Sequence, residues 1–150
     1  MKIPEYPGSC DQEGHEDCIL VEAVHHNVTI SYDPMSGSPT GRRVHTPLRI
    51  TKFIDKSSPG LLRAMTTSQR LATVTLDFNR IHPTGFEENY YRITMTNAVI
   101  VDVTLDVPYC LDPKNESWGH METVAFVYEQ IEWDWIPDSV MEMDEWMAPR

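Results

Sequence analysis

Between Ala72 and Asn79 the chain alternates, with Ala72, Val74, Leu76 and Phe78 on one side and Thr73, Thr75, Asp77 and Asn79 on the other. A period of two belongs to a pleated strand with one apolar and one wet face. The rhythm returns in Tyr91, Ile93 and Met95 against Arg92, Thr94 and Thr96. It continues in Val99, Val101, Val103, Leu105 and Val107 against Ile100, Asp102, Thr104 and Asp106. Asn97-Ala98 carries little turn chemistry, so strand runs into strand there through a tight bend. Val124, Phe126 and Tyr128 line one face, and Ile131, Trp133 and Trp135 line the other. That change of phase predicts a β-bulge near Glu129-Gln130. A chain patterned in this way must pair its strands and bury one face of the resulting sheet.

The first half reads less regularly. Cys18 to Ile30 is a long strand rich in β-branched residues, bent near His25-His26-Asn27. Ser31 to Arg43 contains Asp33-Pro34, Ser36-Gly37-Ser38-Pro39 and Thr40-Gly41, the punctuation of a long loop. Loops of more than about 12 residues inside a domain are usually functional or disordered. Val44 to Phe53 resumes alternation, with Val44, Leu48 and Ile50 on one face and Pro47 marking an edge or bulge. One helix is expected at about residues 58–67, with Ser57 or Ser58 as cap, Pro59 in first position and Leu61, Leu62 and Met65 as its apolar stripe. Pro83-Thr84-Gly85 marks a turn and residues 108–119 a loop. About seven strands and one helix make the chain mainly β, an antiparallel barrel or sandwich.

A length of 150 residues predicts a single domain, 1–150. The formal charge of −11 argues against nucleic acid as a partner, because phosphate binding is carried by Lys and Arg. No apolar run is long enough for a membrane span, and Met1 to Gly8 lacks the apolar core of a signal peptide. Three cysteines, Cys10, Cys18 and Cys110, are too few for a disulfide scaffold and read as cytoplasmic thiols. The Asn27-Val28-Thr29 and Asn115-Glu116-Ser117 sequons then carry no weight.

Charge is unevenly spread. Arg42 to Arg80 holds Arg42, Arg43, Arg49, Lys52, Lys56, Arg63, Arg70 and Arg80 against only Asp55 and Asp77. Val101 to Arg150 is strongly acidic, with Lys114 and Arg150 its only basic residues. Pairing within one domain explains this, and so does a basic face on one subunit meeting an acidic face on the next, a contact that builds rings or filaments.

Catalytic chemistry is not legible. There is no glycine-rich phosphate loop, no Gly-x-Ser-x-Gly elbow and no His-Glu-x-x-His. Cys10-x4-His15-x2-Cys18 has faint metal-like spacing without a second pair. His25 and His26 face opposite ways on a strand, and His45 and His120 are solitary. Asp138, Glu142, Asp144 and Glu145 read as a solvated acidic tail rather than an acid/base pair. Trp133, Trp135 and Trp146 suit a core or an interface better than a ligand platform. No catalytic residue, cofactor or metal is expected.

The run Thr40-Gly41-Arg42-Arg43-Val44-His45-Thr46-Pro47-Leu48-Arg49-Ile50-Thr51-Lys52-Phe53-Ile54-Asp55-Lys56-Ser57-Ser58-Pro59-Gly60-Leu61-Leu62 resembles Hcp, the haemolysin-coregulated protein family of bacterial type VI secretion systems. The resemblance continues through Leu71–Phe78, Tyr90–Thr94, Asn97–Val101 and His120–Trp135. Its most specific part is Lys52 to Pro59. It implies a two-sheet antiparallel β-barrel with one flanking α-helix, whose first strand precedes Pro7-Gly8-Ser9. It implies homohexameric rings that stack into the inner tube of the secretion system, with the segment Ser31 to Arg43 reaching the next ring. The partners implied are further copies of the chain, a contractile sheath, a spike (VgrG-type) protein and small effectors carried in the ring lumen. Assembly would occur in the cytoplasm, and export would use the type VI apparatus without a signal peptide. No toxin domain is expected after Trp146. The subunit and ring-stacking contact is expected at Asp33, Ser36, Gly37, Thr40, Arg42, Arg43, His45, Arg49 and Trp146. Asp33 and the acidic C-terminal segment are candidate partners for the arginines. Two other readings remain: a monomeric β-barrel carrying a small apolar ligand, and a hydrolase built on the carboxylates or the Cys/His group.

Overall fold

The computed structural model describes residues 1–109, 111–115 and 119–147. Cys110 and two residues of the Asn115-Glu116-Ser117 sequon lie outside the described residues. The strands run β1 (Ala23–His25), β2 (Val28–Tyr32), β3 (Pro39–His45), β4 (Leu48–Phe53), β5 (Arg70–Ile81), β6 (Glu87–Asp106), β7 (Met121–Val127), β8 (Gln130–Trp135) and β9 (Val140–Glu145). The helix α1 spans Ser58–Thr66.

The 20-residue β6 is the spine. Its first half pairs antiparallel with β8, and its second half with β7. β5 lies along its other side, from Arg70↔Val99 to Ile81↔Glu87. β4 and β1 extend the sheet beyond β7, and β9 extends it beyond β8. The hairpin β2–β3 forms a second, small sheet.

The bend expected at Asn97-Ala98 and the irregularity expected at Glu129-Gln130 are one feature. Asn97 takes a left-handed backbone (φ 50), which Asn tolerates better than most residues. Facing it, β7 breaks into β8 at Tyr128-Glu129. The Asn97 Nδ2 donates to Glu129 Oε2 at 2.8 Å, and the Glu129 N–H donates to the Thr96 carbonyl at 3.1 Å. Two long antiparallel strands thus kink together. The sheet curls into a half-barrel, in keeping with the expected mainly β fold.

Inside the curl lie Leu48, Ile50, Leu71, Val74, Met95, Val124, Phe126 and Ile131, all buried. Burying an aliphatic or aromatic side chain of this size contributes about 1.5–3 kcal/mol relative to exposure. α1 adds Leu61 and Ala64, both buried, while Leu62 points outward. The helical stripe is therefore Leu61 and Ala64 flanked by Met65, because Leu61 and Ala64 are three residues apart and share a face whereas Leu62 does not. Pro59 sits in the first turn as expected, and Ser57 occupies the cap position without capping. Its hydroxyl donates instead to Asp55 Oδ1 at 2.5 Å.

Three further expectations are corrected. The strand read across Cys18 to Ile30 is two strands in different sheets, β1 and β2, parted at His26-Asn27. Val44 does not share a face with Leu48 and Ile50, because the chain changes sheet at Thr46-Pro47 and leaves Val44 exposed. Ser31 to Arg43 is not a loop but most of a β-hairpin. Pro34 and Gly37 fall in the connecting turn, and Pro39 and Gly41 are tolerated in β3 because, among the described residues, the two strands pair only with each other. Before Pro7, pairing is limited to an isolated bridge, Lys2↔Thr75, with Met1 and Ile3 buried in the core.

Candidate functional site

The hairpin projects from the half-barrel, and its tip is self-contained. Asp33 Oδ1 accepts from the Met35 N–H at 2.9 Å, and Asp33 Oδ2 accepts from Ser36 Oγ at 2.8 Å. The Asp33 N–H donates to the Ser38 carbonyl at 2.9 Å, and Gly37 supplies the left-handed turn residue (φ 67). The Met35 and Ser36 donors hold the Asp33 carboxyl below the usual carboxylate range. Asx-turn chemistry thus closes a hairpin where the same residues read as a loop. Ile30, Tyr32, Met35 and Val44 leave large apolar surface exposed along it.

The base of the hairpin is clasped to the body. Arg43 grips Asp144 of β9 with Nε and Nη2. Nη2 also donates to the Glu145 carbonyl at 3.3 Å. His45 Nε2 lies 3.0 Å from Asp144 Oδ2, and His45 Nδ1 lies 2.8 Å from the Tyr128 hydroxyl. The same hydroxyl lies 2.7 Å from His26 Nε2. Trp146 covers both rings, with centroids 5.7 Å from His45 and 5.1 Å from Tyr128.

A carboxylate accepts only, so Nε2 of His45 carries the proton facing Asp144. The Tyr128 hydroxyl bridges His45 Nδ1 and His26 Nε2, and it can donate to one ring while accepting from the other. Burial, aided by neighbouring His45 and His25, lowers His26 from its ordinary value. Burial and the Asp144 charge push Tyr128 far up. Burial also pushes Asp144 up, but the hydrogen bonds from Arg43 and His45 outweigh it and hold the carboxyl low. The arrangement is a clasp tying β2–β3 to β9 and to the β7–β8 kink.

A second clasp explains the block Lys52 to Pro59. Lys52 is fully buried, and its three Nζ protons are shared among four acceptors: Glu122 Oε1 at 2.7 Å, the Phe53 carbonyl at 2.8 Å, Asp55 Oδ1 at 2.9 Å and Ser58 Oγ at 3.1 Å. Ser58 Oγ donates in turn to Glu122 Oε1 at 2.7 Å. Burial raises the Asp55 carboxyl, but hydrogen bonds from Ser57 and Lys52 hold it below its ordinary value. This network joins β4, β7 and the start of α1.

The nine residues expected to make subunit contacts fall into separate places. Asp33, Ser36 and Gly37 form the tip, and Thr40 and Arg42 lie along the exposed β3. Arg42 makes no ion pair with any described residue. Arg43, His45 and Trp146 meet in the clasp, with their side chains engaged inside the chain. Arg49 lies on the large sheet, paired with Asp102 at 2.8 Å and half-exposed. The acidic tail is not a free tail: Asp138 follows β8 and accepts from Trp135 Nε1 at 2.9 Å, and Glu142, Asp144 and Glu145 lie on β9. Trp133, Trp135 and Trp146 form no common platform, since Trp133 and Trp146 flank the clasp while Trp135 lies under Arg80. Tyr128 and His26 are members that the sequence does not announce, and Asp144, one of the acidic residues expected to face the arginines, meets Arg43 within the chain. Asp144 lies far along the chain from His45, and no local spacing announces the contact.

Among the described residues no group of three His, Cys, Asp or Glu is placed to hold a metal. No described helix is long and apolar enough to cross a membrane. A cleft of about 540 Å³ opens over Tyr128 and Trp146, with Arg70, Glu129 and Glu145 among its lining residues.

The family model for "Type VI secretion system effector, Hcp" matches residues 1–135. The chain belongs to the Hcp family. It is 42% identical over 142 residues to the major exported protein of Pseudomonas aeruginosa, covering 95% of this chain and 83% of that one. A mutant form of Hcp1 from Escherichia coli superposes with a TM-score of 0.82 at 33% identity, covering 93% of this chain and 89% of that one. Secreted Hcp3 from Pseudomonas aeruginosa gives 0.73 at 32% identity, covering 93% and 85%.

Proposed function

We propose that this Hcp chain is a structural subunit of a type VI inner tube. It closes into hexameric rings, stacks through the β2–β3 hairpin and leaves the cell with the tube. The observation that carries the reading is the hairpin itself. It is tied to the body at its base by Arg43, His45 and Asp144, yet it exposes Ile30, Tyr32, Met35 and Val44 beside Arg42, which makes no ion pair with a described residue. An exposed apolar patch on such an arm is a contact surface. The edge strand β9 adds exposed Val140, Met141 and Met143, whose backbone edge a neighbouring subunit would cover.

Stable interfaces of this kind bury on the order of 1,200–2,000 Å² in total. The tip residues Asp33, Ser36 and Gly37, with Thr40 and Arg42, form the stacking side. Arg49 faces a neighbour from the large sheet, while Arg43, His45 and Trp146 position the arm. The sheath, the spike protein and small effectors in the lumen complete the set of partners. The role needs no cofactor and no catalytic group.

Sedimentation of the purified chain tests the reading. A ring has six times the 17.3 kDa subunit mass. A particle of single-subunit mass at high concentration, holding a small apolar molecule, would instead establish the ligand-carrier reading.

A further inference from the structure

The segment between Gly8 and Ile19 folds back on itself outside the regular strands. The Cys10 N–H donates to the Cys18 carbonyl at 3.1 Å, and the Asp17 N–H donates to the Cys10 carbonyl at 3.0 Å. Asp17 is left-handed (φ 60), so these two bonds make the pattern of a G1-type bulge with Cys10 facing Cys18. Hydrogen-bonded cross-strand partners have Cα atoms about 5.5 Å apart. A disulfide spans Cα separations of about 4.4–6.8 Å. Both side chains are half-buried thiols lining one cavity of about 200 Å³, together with His15 and Asp77. They therefore point into the same space, within reach of a small solute.

We propose that Cys10 and Cys18 are a redox-addressable pair that closes into an intrachain disulfide when the protein meets a small disulfide oxidant. One cysteine thiolate attacks a sulfur of oxidised glutathione, breaking its S–S bond and releasing one glutathione thiolate. The second cysteine thiolate attacks the protein-bound sulfur and expels the other. The two cysteines lose two electrons, which the two glutathione thiolates carry away. The two thiol protons pass to those thiolates. The loop between Cys10 and Cys18 is already folded back by the His15 N–H to Gln12 and Cys18 N–H to His15 hydrogen bonds, at 2.9 and 3.1 Å. Closure would therefore need little backbone movement. A chain that moves from a reducing cytoplasm to an oxidising exterior would be thiol inside and disulfide outside.

The test uses the full-length chain, purified reduced and then equilibrated with oxidised glutathione. Free thiols are alkylated, and peptides are mapped by mass spectrometry. A Cys10–Cys18 linked peptide is expected, with a rise in Tm of about 5–10 °C over the reduced protein. Cys10→Ser and Cys18→Ser should each abolish both effects, and Cys110→Ser should preserve them. Alkylation of both thiols after oxidation, a link to Cys110, or links only between chains would overturn the proposal. None of these readouts depends on whether the chain is a monomer or a ring.

Discussion

The Lys52 ammonium meets the Glu122 carboxylate at 2.7 Å, across the register pair that joins β4 to β7. The lysine side chain is fully buried, and its other two protons are shared among the Phe53 carbonyl, Asp55 Oδ1 and Ser58 Oγ. Two ions taken from water repay their desolvation only when geometry and extra hydrogen bonds are good, and here both are.

Removing one partner strands the other charge. Lys52→Met should cost about 3–5 kcal/mol, whereas Lys52→Met combined with Glu122→Met should recover much of that loss. Urea unfolding midpoints at unchanged slope measure both. A double variant as unstable as the single one would show that the pair is not the source of the effect.

Acid should weaken the fold in two stages. The unfolded chain protonates His26 near 6.5, while the folded chain resists, mainly through burial. Stability from neutral His26 is therefore complete above pH 6.5 and is lost as pH falls through the lower folded value. Asp55 and Asp144, both below their ordinary 3.8, contribute fully above that pH and lose their contribution as it falls through their folded values. His26→Gln keeps a donor for Tyr128 but cannot ionise. Melting curves from pH 8 to 5 should be flatter for this variant than for the parent chain. Identical slopes would remove His26 from the account.

The adjacent arginines should behave differently. Arg42→Glu changes a surface charge that pairs with no described residue, so Tm should hold while ring stacking weakens. Arg43→Glu places a carboxylate against Asp144, so it should lower Tm by opening the clasp. Thermal melts and tube lengths by electron microscopy separate the two. Tubes of unchanged length with Arg42→Glu would argue against this residue in stacking.

Gly8 has no room for a side chain. A Cβ there would lie 2.2 Å from the Cys18 carbonyl oxygen and 2.5 Å from the Ile19 Cα, both backbone atoms. Gly8→Ala should therefore destabilise by about 1–3 kcal/mol, the usual cost of overpacking. A melt matching the parent chain would mean that the two segments part without cost.

The period-two pattern from Leu71 to Trp135, the proline at the start of α1 and the Thr40–Leu62 run were enough to read a mainly β Hcp fold with one helix. These signals are local: strand alternation and helix starts depend on neighbours a few residues apart. Turn residues around Asp33 misled for the same reason, since Asp, Ser and Gly in a row suit a hairpin tip as well as a loop, and only pairing with β2 distinguishes the two. The disagreement between Val44 and Leu48 over which way to face arose because Pro47 marks a change of sheet, which periodicity alone does not show. What tertiary structure decided is which charges and rings meet: Arg43 and His45 with Asp144, His26 with Tyr128, and Lys52 with Glu122. Those partners are brought together by the shared kink at Asn97 and Glu129 and by strand order. Strand order follows from burying the whole apolar face at once, and no short stretch of sequence records it.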